Sequence, residues 1–344
     1  RSHLEKLINY YNITDIFVSI ANIKNKEKIE LLNFLSNFTP NVKFLPDINL
    51  LLKSSPSAED LKELNINDLL MRDVKINKNK IKINIYNQKV LITGAGGSIG
   101  SELCLETLNY EPKEIIILDH SEYNLYKVEN IINEKIIHKK FNIKVIPILA
   151  SIKDKNRIDK IFKEFRPNIV YHSAAYKHVS IMENNVIESV TNNVIGTLNL
   201  VNSSIKYNIN RFVLVSSDKA VRPTNIMGAS KRFAELIIQA KSNYSKDIGT
   251  KFTIVRFGNV IGSSGSVIPK FTEQIRKGGP VTVRDKNVSR YFMVVQEAAR
   301  LILESDSISK SGEVFVLNMG NPIKISDLAI KMINVSGHKV KFDS

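Results

Sequence analysis

Residues 93–100 read Thr-Gly-Ala-Gly-Gly-Ser-Ile-Gly (TGAGGSIG), and this glycine-rich stretch decides the fold. It follows an apolar strand predicted at 90–93 and opens a helix predicted from Ser98, which is the strand, turn and helix order of dinucleotide-binding proteins. The first glycine turns the chain, the second lets the backbone approach a pyrophosphate, and the third permits close helix packing. The residues expected to bind a cofactor are Gly94, Gly97, Ser98, Ile99 and Gly100. A glycine-rich structural loop without a cofactor is the alternative.

Asp119 ends the next predicted strand, about twenty residues after the glycine turn. An acidic residue at this position accepts hydrogen bonds from the adenosine ribose hydroxyls and repels a 2′-phosphate. Asp119 therefore favours NAD as the cofactor, whereas His120 and Lys127 leave NADP open. A helix N-cap or turn residue is the other interpretation of Asp119.

Strands and helices alternate along the chain from Lys89 onward. The predicted strands are 90–93, 114–118, 144–149, 169–172, 211–215 and 252–256, with helices between them such as 122–134. This alternation indicates an α/β fold with a doubly wound parallel sheet and right-handed crossovers. We expect a domain over 79–344, with a nucleotide-binding Rossmann core at 87–257 and a small C-terminal substrate lobe at 258–344.

The first 78 residues carry a shorter α/β pattern. Strands are predicted at 15–21 and 42–45, and a helix between them at 26–38 has apolar residues at helical spacing. This partial unit is too short to close a doubly wound sheet by itself. We interpret residues 1–78 as the tail of a preceding domain and a linker.

The bulk composition of the 344 residues limits the possible partners. The formal charge is +15, but the lysines are scattered rather than gathered into one basic arm, so nucleic acid is not expected as a partner. Anionic small substrates such as nucleotide sugars, or an anionic membrane surface, suit the charge equally well. Because Cys104 is the only cysteine, an internal disulfide and a zinc site built from cysteine pairs are excluded. No metal is expected, and the reducing cytoplasm is the natural compartment. No apolar run approaches the roughly 18 residues that span a bilayer.

A second polar group follows the strand predicted at 211–215. Ser216, Ser217, Asp218 and Lys219 would reach the carboxyl edge of the sheet, where α/β enzymes place their chemistry. Asp218 and Lys219 offer an acid and a base, with Ser217 beside them, although neighbouring Asp and Lys residues are often only a surface ion pair.

Met227 and Lys231 have the spacing of the YxxxK pattern of short-chain dehydrogenases, with methionine in place of the tyrosine. Lys231 is expected to bind the nicotinamide ribose and to add positive charge. A thioether cannot accept a proton from an alcohol as the tyrosine does, so the site is either a dead reductase or one that uses another proton route. The ionisable pair upstream favours the second interpretation.

Further candidates lie after other predicted strands. Ala174 and Ala175 are expected at the cofactor edge, and the candidate substrate contacts are Lys177, His178, Asn259, Val267 and Arg290. Arg256 and Asn259 could contact phosphate or sugar hydroxyls, and Arg290 could pair with a diphosphate. A structural histidine at 178 and a core-capping arginine at 256 are the alternatives.

Together these residues resemble the extended short-chain dehydrogenase/reductase family, and within it the polysaccharide-biosynthesis UDP-N-acetylglucosamine 4,6-dehydratases. The similarity runs from Lys89 to about Gly337 through TGAGGSIG, LDHSEYNLY, HSAAYKHV, SSDKAVRPTNIMGASK, RFGNVIGSSGSVIP and SRYFMVVQEA. Residues 61–74 resemble the junction in longer members, which carry an N-terminal membrane region and a first Rossmann-like domain. The resemblance implies a cytoplasmic soluble portion of a parent anchored in the inner membrane, and the flanking helices suggest a homo-oligomer.

The resemblance also implies a reaction. Bound NAD takes a hydride from C4 of UDP-N-acetylglucosamine, water is eliminated across C5 and C6, and the hydride returns to C6. Asp218 would protonate the departing C6 hydroxyl and Lys219 would remove the C5 proton. Because Met227 offers no acceptor for the C4 hydroxyl proton, we expect an ordered water held by Ser217 or Asp218 to take it. Met227 implies that the C5 configuration is retained. A nucleotide-sugar C4 epimerase and a non-catalytic NAD- or nucleotide-sugar-binding scaffold are the alternatives.

Overall fold

The structure is a computed structural model that describes residues 2–20, 27, 30–31, 34–35, 41–44, 62–63, 74–244, 249–262, 267–283 and 285–336. The chain forms two compact units. One comprises residues 1–74, 264–294 and 320–344, and the other residues 75–263 and 295–319. The domain boundaries predicted from the sequence, at residue 78 and between 257 and 258, stay predictions.

The strands follow the predicted positions closely wherever a prediction was made. In chain order they are β1 (Asp15–Val18), β2 (Asn41–Phe44), β3 (Lys62–Glu63), β4 (Lys89–Thr93), β5 (Glu114–Asp119), β6 (Lys144–Leu149), β7 (Ile169–His172), β8 (Arg211–Val215), β9 (Lys251–Arg256), β10 (Asn259–Ile261), β11 (Ser289–Arg290), β12 (Phe292–Val294), β13 (Glu313–Val316) and β14 (Ile323–Lys324).

The helices lie between these strands. They are α1 (Ser2–Tyr11), α2 (Lys78–Ile85), α3 (Ser98–Leu108), α4 (Glu122–Lys139), α5 (Lys155–Phe165), α6 (Val179–Glu183), α7 (Val186–Val190), α8 (Thr197–Lys206), α9 (Ile226–Tyr244), α10 (Val267–Arg276), α11 (Val295–Ile308) and α12 (Ile325–Val335). A π-helical turn at Thr191–Gly196 joins α7 to α8, and a 3₁₀ turn at Asp218–Ala220 follows β8.

Seven parallel strands form the sheet of the unit that contains residues 75–263. Their order is β6-β5-β4-β7-β8-β9-β13. The chain moves outward from β4 to β6 and then returns to β7 to continue in the other direction. The carboxyl ends of β4 and β7 therefore flank the switch point, where open α/β sheets bind their ligands. This confirms the predicted doubly wound parallel fold.

The central strands are apolar along their whole length because helices cover both faces of the sheet. Ile115, Ile116 and Ile117 of β5 are all fully buried, which is the pattern of a parallel sheet rather than of a half-exposed strand. On one face, side chains of α5, α8 and α9 close a core with alternate residues of β4, β5, β7, β8 and β9. Helix α11 packs against α2 and α3 within the same unit.

The other unit is described in separate segments. β1 pairs in parallel with β2, and β2 pairs antiparallel with β3, while β11 pairs antiparallel with β14. Most of the helix predicted at 26–38 and of the junction at 61–74 lies outside the described residues, as do residues 21 and 45 of the strands predicted at 15–21 and 42–45. The first of these strands was predicted too long, because β1 ends at Val18 and residues 19 and 20 are not in a strand. Within the described part of the chain, no helix is both long and apolar enough to cross a bilayer.

Candidate active site

The glycine turn brings the end of β4 against the end of β7. Gly94 has φ +67°, and a Cβ on it would lie 2.7 Å from the Cα of Ala174. A Cβ on Gly100 would lie 2.7 Å from the carbonyl carbon of Gly94, so α3 can start this close to the turn only without a side chain. The structure therefore agrees with the prediction that Gly94 turns the chain and that Gly100 permits close packing of α3. A Cβ on Gly97 would lie 3.2 Å from the oxygen of Gly94, and the N-terminus of α3 follows at Ser98 and Ile99.

Asp119 fastens this turn to the next strand. It is 5% exposed, and its carboxylate accepts backbone N–H bonds from Gly96 and Ser121, both at 2.9 Å. The N-cap of α4 is Ser121, whose Oγ accepts from the N–H of Asn124 at 3.4 Å. Asp119 is therefore not the N-cap, but its bond from the N–H of Ser121, two residues on, makes it a turn residue, which was the other part of that alternative. A buried carboxylate at the end of β5 and a glycine turn before a helix N-terminus are the parts that hold the ribose and pyrophosphate of a dinucleotide.

The end of β8 presents the predicted acid and base as an ion pair. Nζ of Lys219 lies 3.0 Å from Oδ1 of Asp218. Ser217 Oγ donates to the same oxygen at 2.9 Å and accepts from the backbone N–H of Lys219 at 3.2 Å. The side chains of Asp218 and Lys219 are 50% and 35% exposed, so both can meet a substrate or water.

Residues that follow β9 form hydrogen bonds with both members of this ion pair. The N–H of Asp218 donates to the carbonyl of Phe257 at 3.0 Å, and Nζ of Lys219 donates to Oδ1 of Asn259 at 3.3 Å. Asn259, predicted as a substrate contact, therefore lies beside the predicted base. The two neighbouring strands β8 and β9 bring these residues together at one edge of the sheet.

Helix α9 begins against the same loop. The side chain of Asn225 accepts from the N–H of Gly228 at 2.8 Å, and a Cβ on Gly228 would lie 3.2 Å from the carbonyl carbon of Lys219. Met227, next to this contact, is 2% exposed. The methionine that replaces the usual tyrosine is thus a buried apolar side chain at the start of the helix.

Lys231 lies one turn further along α9 and points its ammonium at the end of β8. Its Nζ donates to the carbonyl of Val215 at 3.1 Å. The pKa of Lys231 is lowered to about 8, mainly by desolvation and to a lesser extent by the charges of Lys177 and Lys219, while the charge of Glu235 opposes them. Three lysines therefore share this region, which attracts anions.

Glu235 is a site residue that the sequence did not reveal. It is fully buried, and its carboxylate accepts from Ser216 Oγ at 2.5 Å, from Arg256 Nε at 2.8 Å and Nη2 at 2.5 Å, and from Arg232 Nη1 at 3.0 Å. Burial alone would raise the pKa of Glu235, but these hydrogen bonds lower it. Glu235 holds the Nε and Nη2 edge of the Arg256 guanidinium, which agrees with the core-capping alternative, and the contact of Arg256 with a ligand stays a prediction.

His172, at the end of β7, was predicted only as a strand residue. Its Nδ1 lies 2.8 Å from Thr93 Oγ1 and its Nε2 lies 2.9 Å from Thr197 Oγ1. The Thr197 hydroxyl donates its proton to the carbonyl of Asn193 at 2.7 Å, so the ring donates from Nε2 and accepts at Nδ1. Burial, followed by the charge of Lys231, lowers the pKa of His172 to about 3, and the ring is neutral.

Asn193, on the π-helical turn, connects this network to α9. Its Oδ1 accepts from the N–H of Tyr176 at 2.8 Å, and its Nδ2 donates to the carbonyl of Tyr176 at 3.1 Å and to Ser230 Oγ at 2.9 Å. π-helical turns occur often at functional sites. The two adjacent amides, Asn192 and Asn193, were the available signal in the sequence.

The remaining predicted residues of this unit follow β7. Ala174 abuts the glycine turn, and its carbonyl accepts from Asn192 Nδ2 at 3.0 Å, with Ala175 next to it. Lys177 and His178 are both exposed, and desolvation lowers the pKa of Lys177. His178 occupies the N-cap position of α6 without a side-chain capping bond.

Val267 and Arg290 belong to the other unit. Val267 is the first residue of α10, and the exposed Arg290 in β11 donates from Nη1 to the carbonyl of Ser289 at 2.9 Å. Their predicted contacts with substrate stay predictions. Among the described residues, no group of three or more His, Cys, Asp or Glu side chains could hold a metal ion. Cys104 is buried, and desolvation raises the pKa of its thiol.

Residues 90–344 match the family described as "Polysaccharide biosynthesis protein". The chain belongs to this family. It is also 40% identical over 338 residues, 98% of its own length, to the capsular polysaccharide biosynthesis protein CapD of Staphylococcus aureus. The match covers 55% of that relative, so the chain spans about half the length of the longer curated family members that it matches.

Other relatives have names that state a reaction. A UDP-N-acetylglucosamine 4,6-dehydratase (inverting) of Campylobacter jejuni is 29% identical over 261 residues, which is 74% of each chain. A UDP-glucose 4-epimerase of Rickettsia bellii is 29% identical over 257 residues, again 74% of each chain. The named relatives therefore include both a 4,6-dehydratase and a 4-epimerase, and similarity alone does not decide between these two reactions.

Solved structures agree with the fold. The X-ray structure of Pen from Bacillus thuringiensis has a TM-score of 0.68 and 35% identity, covering 76% of this chain and 80% of that one. The dTDP-glucose 4,6-dehydratase DesIV of Streptomyces venezuelae, solved with NAD and DAU bound, has a TM-score of 0.62 at 21% identity, covering 73% and 81%. The Rossmann fold of this chain is thus the fold of extended short-chain dehydrogenases.

Proposed function

We propose that the protein is an NAD-dependent UDP-N-acetylglucosamine 4,6-dehydratase, which makes a UDP-4-keto-6-deoxy-N-acetylhexosamine for glycan or glycoprotein assembly. The observation that carries the proposal is the 3.0 Å ion pair of Asp218 and Lys219 at the carboxyl end of β8. Elimination of water needs one group that removes a proton and another that protonates the leaving hydroxyl. A C4 epimerisation needs no acid at C6.

The residues of the nucleotide end fit NAD. The glycine turn and the N-terminus of α3 would hold the pyrophosphate, the Asp119 carboxylate the adenosine ribose, and Lys231 the nicotinamide ribose, with Ala174 and Ala175 beside the turn. When bound, NAD takes a hydride from C4 of the sugar and returns it to C6, so no net cofactor is consumed. The carboxylate of Asp119 disfavours the 2′-phosphate of NADP.

The ion pair of Asp218 and Lys219 shares one proton, which is the number that an elimination of water needs. Moving one proton across the 3.0 Å contact from Lys219 to Asp218 converts ammonium and carboxylate into an amine and a carboxylic acid. The amine of Lys219 then removes the C5 proton, which the 4-keto group acidifies, and Asp218 protonates the departing C6 hydroxyl. The pair has then returned to ammonium and carboxylate, and Lys219 can give its proton back to C5. The proton that the C4 hydroxyl released to water returns through solvent to Lys219 and restores the ammonium.

This use of one lysine for both proton transfers at C5 favours retention of configuration. A proton that leaves to Lys219 and returns from Lys219 is delivered to the same face of the sugar. Inversion would need a second donor on the opposite face. The buried Met227, which has no proton to give, is consistent with a single donor at this position.

The C4 hydroxyl proton leaves through water. Met227 cannot act as a base, and the neutral His172 is enclosed by its two threonine partners. The half-exposed Asp218 carboxylate and the Ser217 hydroxyl bound to it at 2.9 Å offer hydrogen-bonding positions to an ordered water. Lys177, His178, Asn259, Val267 and Arg290 are proposed as contacts of the UDP-sugar.

The parent protein is proposed to be longer, anchored in the inner membrane and homo-oligomeric, with this portion in the cytoplasm. The match to only 55% of the CapD relative supports the greater length. Fractionation of cells and size-exclusion chromatography of the purified chain test the two parts of this proposal.

The proposed reaction is tested by incubating the protein with UDP-N-acetylglucosamine and recording the mass of the product. A dehydratase removes the mass of one water, whereas a C4 epimerase leaves the mass unchanged and changes only the chromatographic position. A scaffold that binds NADH without turnover gives neither change. Either of the last two results would overturn the proposed function.

A further inference from the structure

The buried carboxylate of Glu235 on α9 binds residues at the ends of β8 and β9, the two strands that carry the Asp218–Lys219 pair and Asn259. Ser216, which donates to Glu235 at 2.5 Å, directly precedes Ser217, Asp218 and Lys219. Arg256, bound through two nitrogens, directly precedes the loop that holds Asn259. Glu235 itself follows Lys231 by one helical turn of α9.

A merely structural interpretation explains this arrangement poorly. A buried ion pair stabilises a fold little more than well-packed apolar residues of the same size would, because both charges lose their hydration. Its advantage is a fixed geometry, since each oxygen of Glu235 accepts two hydrogen bonds from defined directions. The geometry that is fixed here is the mutual position of the ends of β8 and β9 and of one face of α9.

The charge of Glu235 also acts on Lys231. Several charged groups surround this ammonium. Lys177, after β7, and Lys219, after β8, repel it, and Asp218 is bound to Lys219. Arg232 and Arg256 are bound to Glu235, and His172 is neutral. Among the groups that shift Lys231, Glu235 is the one that favours its protonated form.

We propose that Glu235 is a positioning residue, which keeps Lys231 protonated for the cofactor and holds the Asp218–Lys219 pair in register with it. The catalytic half of this inference, the positioning of the Asp218–Lys219 pair, rests on the proposed function. Its cofactor half concerns NADH binding and can be measured without any sugar substrate.

The variant Glu235→Gln keeps the size of the side chain and removes the charge. Without Glu235, burial and the two lysines lower the pKa of Lys231 below its value of about 8. NADH binding weakens with rising pH because Lys231 loses its proton. In the variant, NADH binding should therefore weaken at a lower pH than in the wild type. We expect the midpoint of NADH binding, followed by NADH fluorescence between pH 6 and 9.5, to move down by about one pH unit.

The matched control is Asp306→Asn, because Asp306 is also buried and bound to an arginine. Arg211 Nη1 lies 3.3 Å from its Oδ1, and Arg211 begins β8 at the opposite edge of the sheet. Both variants should lower the melting temperature, but only Glu235→Gln should move the pH midpoint. If both keep the wild-type midpoint, Glu235 has a structural role alone and the inference is overturned.

Ser216→Ala provides a second test in case Glu235→Gln does not fold. It keeps the charge of Glu235 and removes the bond to the end of β8, so the pH midpoint should stay and turnover of UDP-N-acetylglucosamine should fall about tenfold at unchanged NADH affinity. Unchanged turnover would contradict the positioning of the Asp218–Lys219 pair. If the wild type gives no dehydrated product but the midpoint moves in Glu235→Gln, the proposed function fails and the cofactor half of the inference stands.

Discussion

Nζ of Lys219 lies 3.0 Å from Oδ1 of Asp218, and Ser217 Oγ donates to the same oxygen at 2.9 Å. An exposed ion pair between neighbouring residues normally contributes little to stability. Its value here is chemical, because the loops after β8 and β9 fix both groups at the edge of the sheet where α/β enzymes act. The pair shares one proton, which can move from Lys219 to Asp218 and then to the departing hydroxyl in an elimination.

Asp218→Asn should abolish most of the turnover. The amide cannot deliver a proton to the C6 hydroxyl, so kcat should fall by about 10²-fold or more while NADH binding stays within about twofold. The matched control is Asp159→Asn, which breaks an exposed 2.7 Å ion pair with Lys206 away from this edge. The control should keep wild-type turnover, and an equal loss in both variants would contradict the role of Asp218.

Met227→Tyr should not make the enzyme faster. Met227 is 2% exposed, so a larger side chain must displace its neighbours and should destabilise the protein by about 1–3 kcal/mol. Met227→Leu, which conserves volume, should retain turnover within about twofold. The two variants are compared by kcat and thermal unfolding. A several-fold rise in kcat for Met227→Tyr would show that a phenol improves the first proton transfer and would refute the water route.

Gly100→Ala should weaken the nucleotide site. Its Cβ would lie 2.7 Å from the carbonyl carbon of Gly94, and backbone atoms cannot move aside as a flexible side chain can. We expect NADH affinity, measured by fluorescence titration, to fall at least about tenfold. Ser101→Ala, at the next position of α3, should leave it unchanged. Wild-type affinity in Gly100→Ala would mean that the turn does not bind the dinucleotide.

Acid should destabilise the protein through His172. Its pKa is about 3 in the folded protein against 6.5 in the unfolded chain, so its contribution is complete above pH 6.5 and is lost as the pH falls toward 3. Between pH 6.5 and 4.5 this one group should remove about 2 kcal/mol from the free energy of unfolding. His172→Gln, which retains an amide donor and acceptor, should show a shallower dependence in urea unfolding than the exposed-site control His138→Gln. Equal slopes would contradict this assignment.

Much of the fold could be predicted because the sheet is buried on both faces. Continuous apolar runs predicted the bounds of the buried strands β7 and β8, and the glycine turn predicted the start of α3. The bounds of the edge strand β6, in which only Ile148 is buried, also followed from an apolar run. Helix α4 extends to Lys139, five residues beyond the predicted end, because no glycine or proline interrupts residues 135–139 and Lys140 adopts a left-handed C-cap conformation. A non-glycine C-cap gives little signal in a single sequence.

The candidate site was predictable only where its residues are near one another in sequence. Ser217, Asp218 and Lys219 follow one strand, and Met227 and Lys231 start the next helix. The bond between Glu235 and Arg256 joins a helix to a later strand, and that between Thr93 and His172 depends on the pairing of β4 with β7. Such contacts follow from the strand order, which the alternation of elements does not specify. The bond of Arg256 to Glu235 could not be predicted for this reason.

The proposed role of Asp218 and Lys219 is to eliminate water from a UDP-sugar, with Lys219 returning a proton to C5. Proton NMR of UDP-N-acetylglucosamine incubated with the protein in heavy water tests it most directly. We expect a new C6 methyl signal, deuterium at C5 and retained C5 configuration. An unchanged sugar, or a product epimerised at C4 that still carries its C6 hydroxyl, would contradict it.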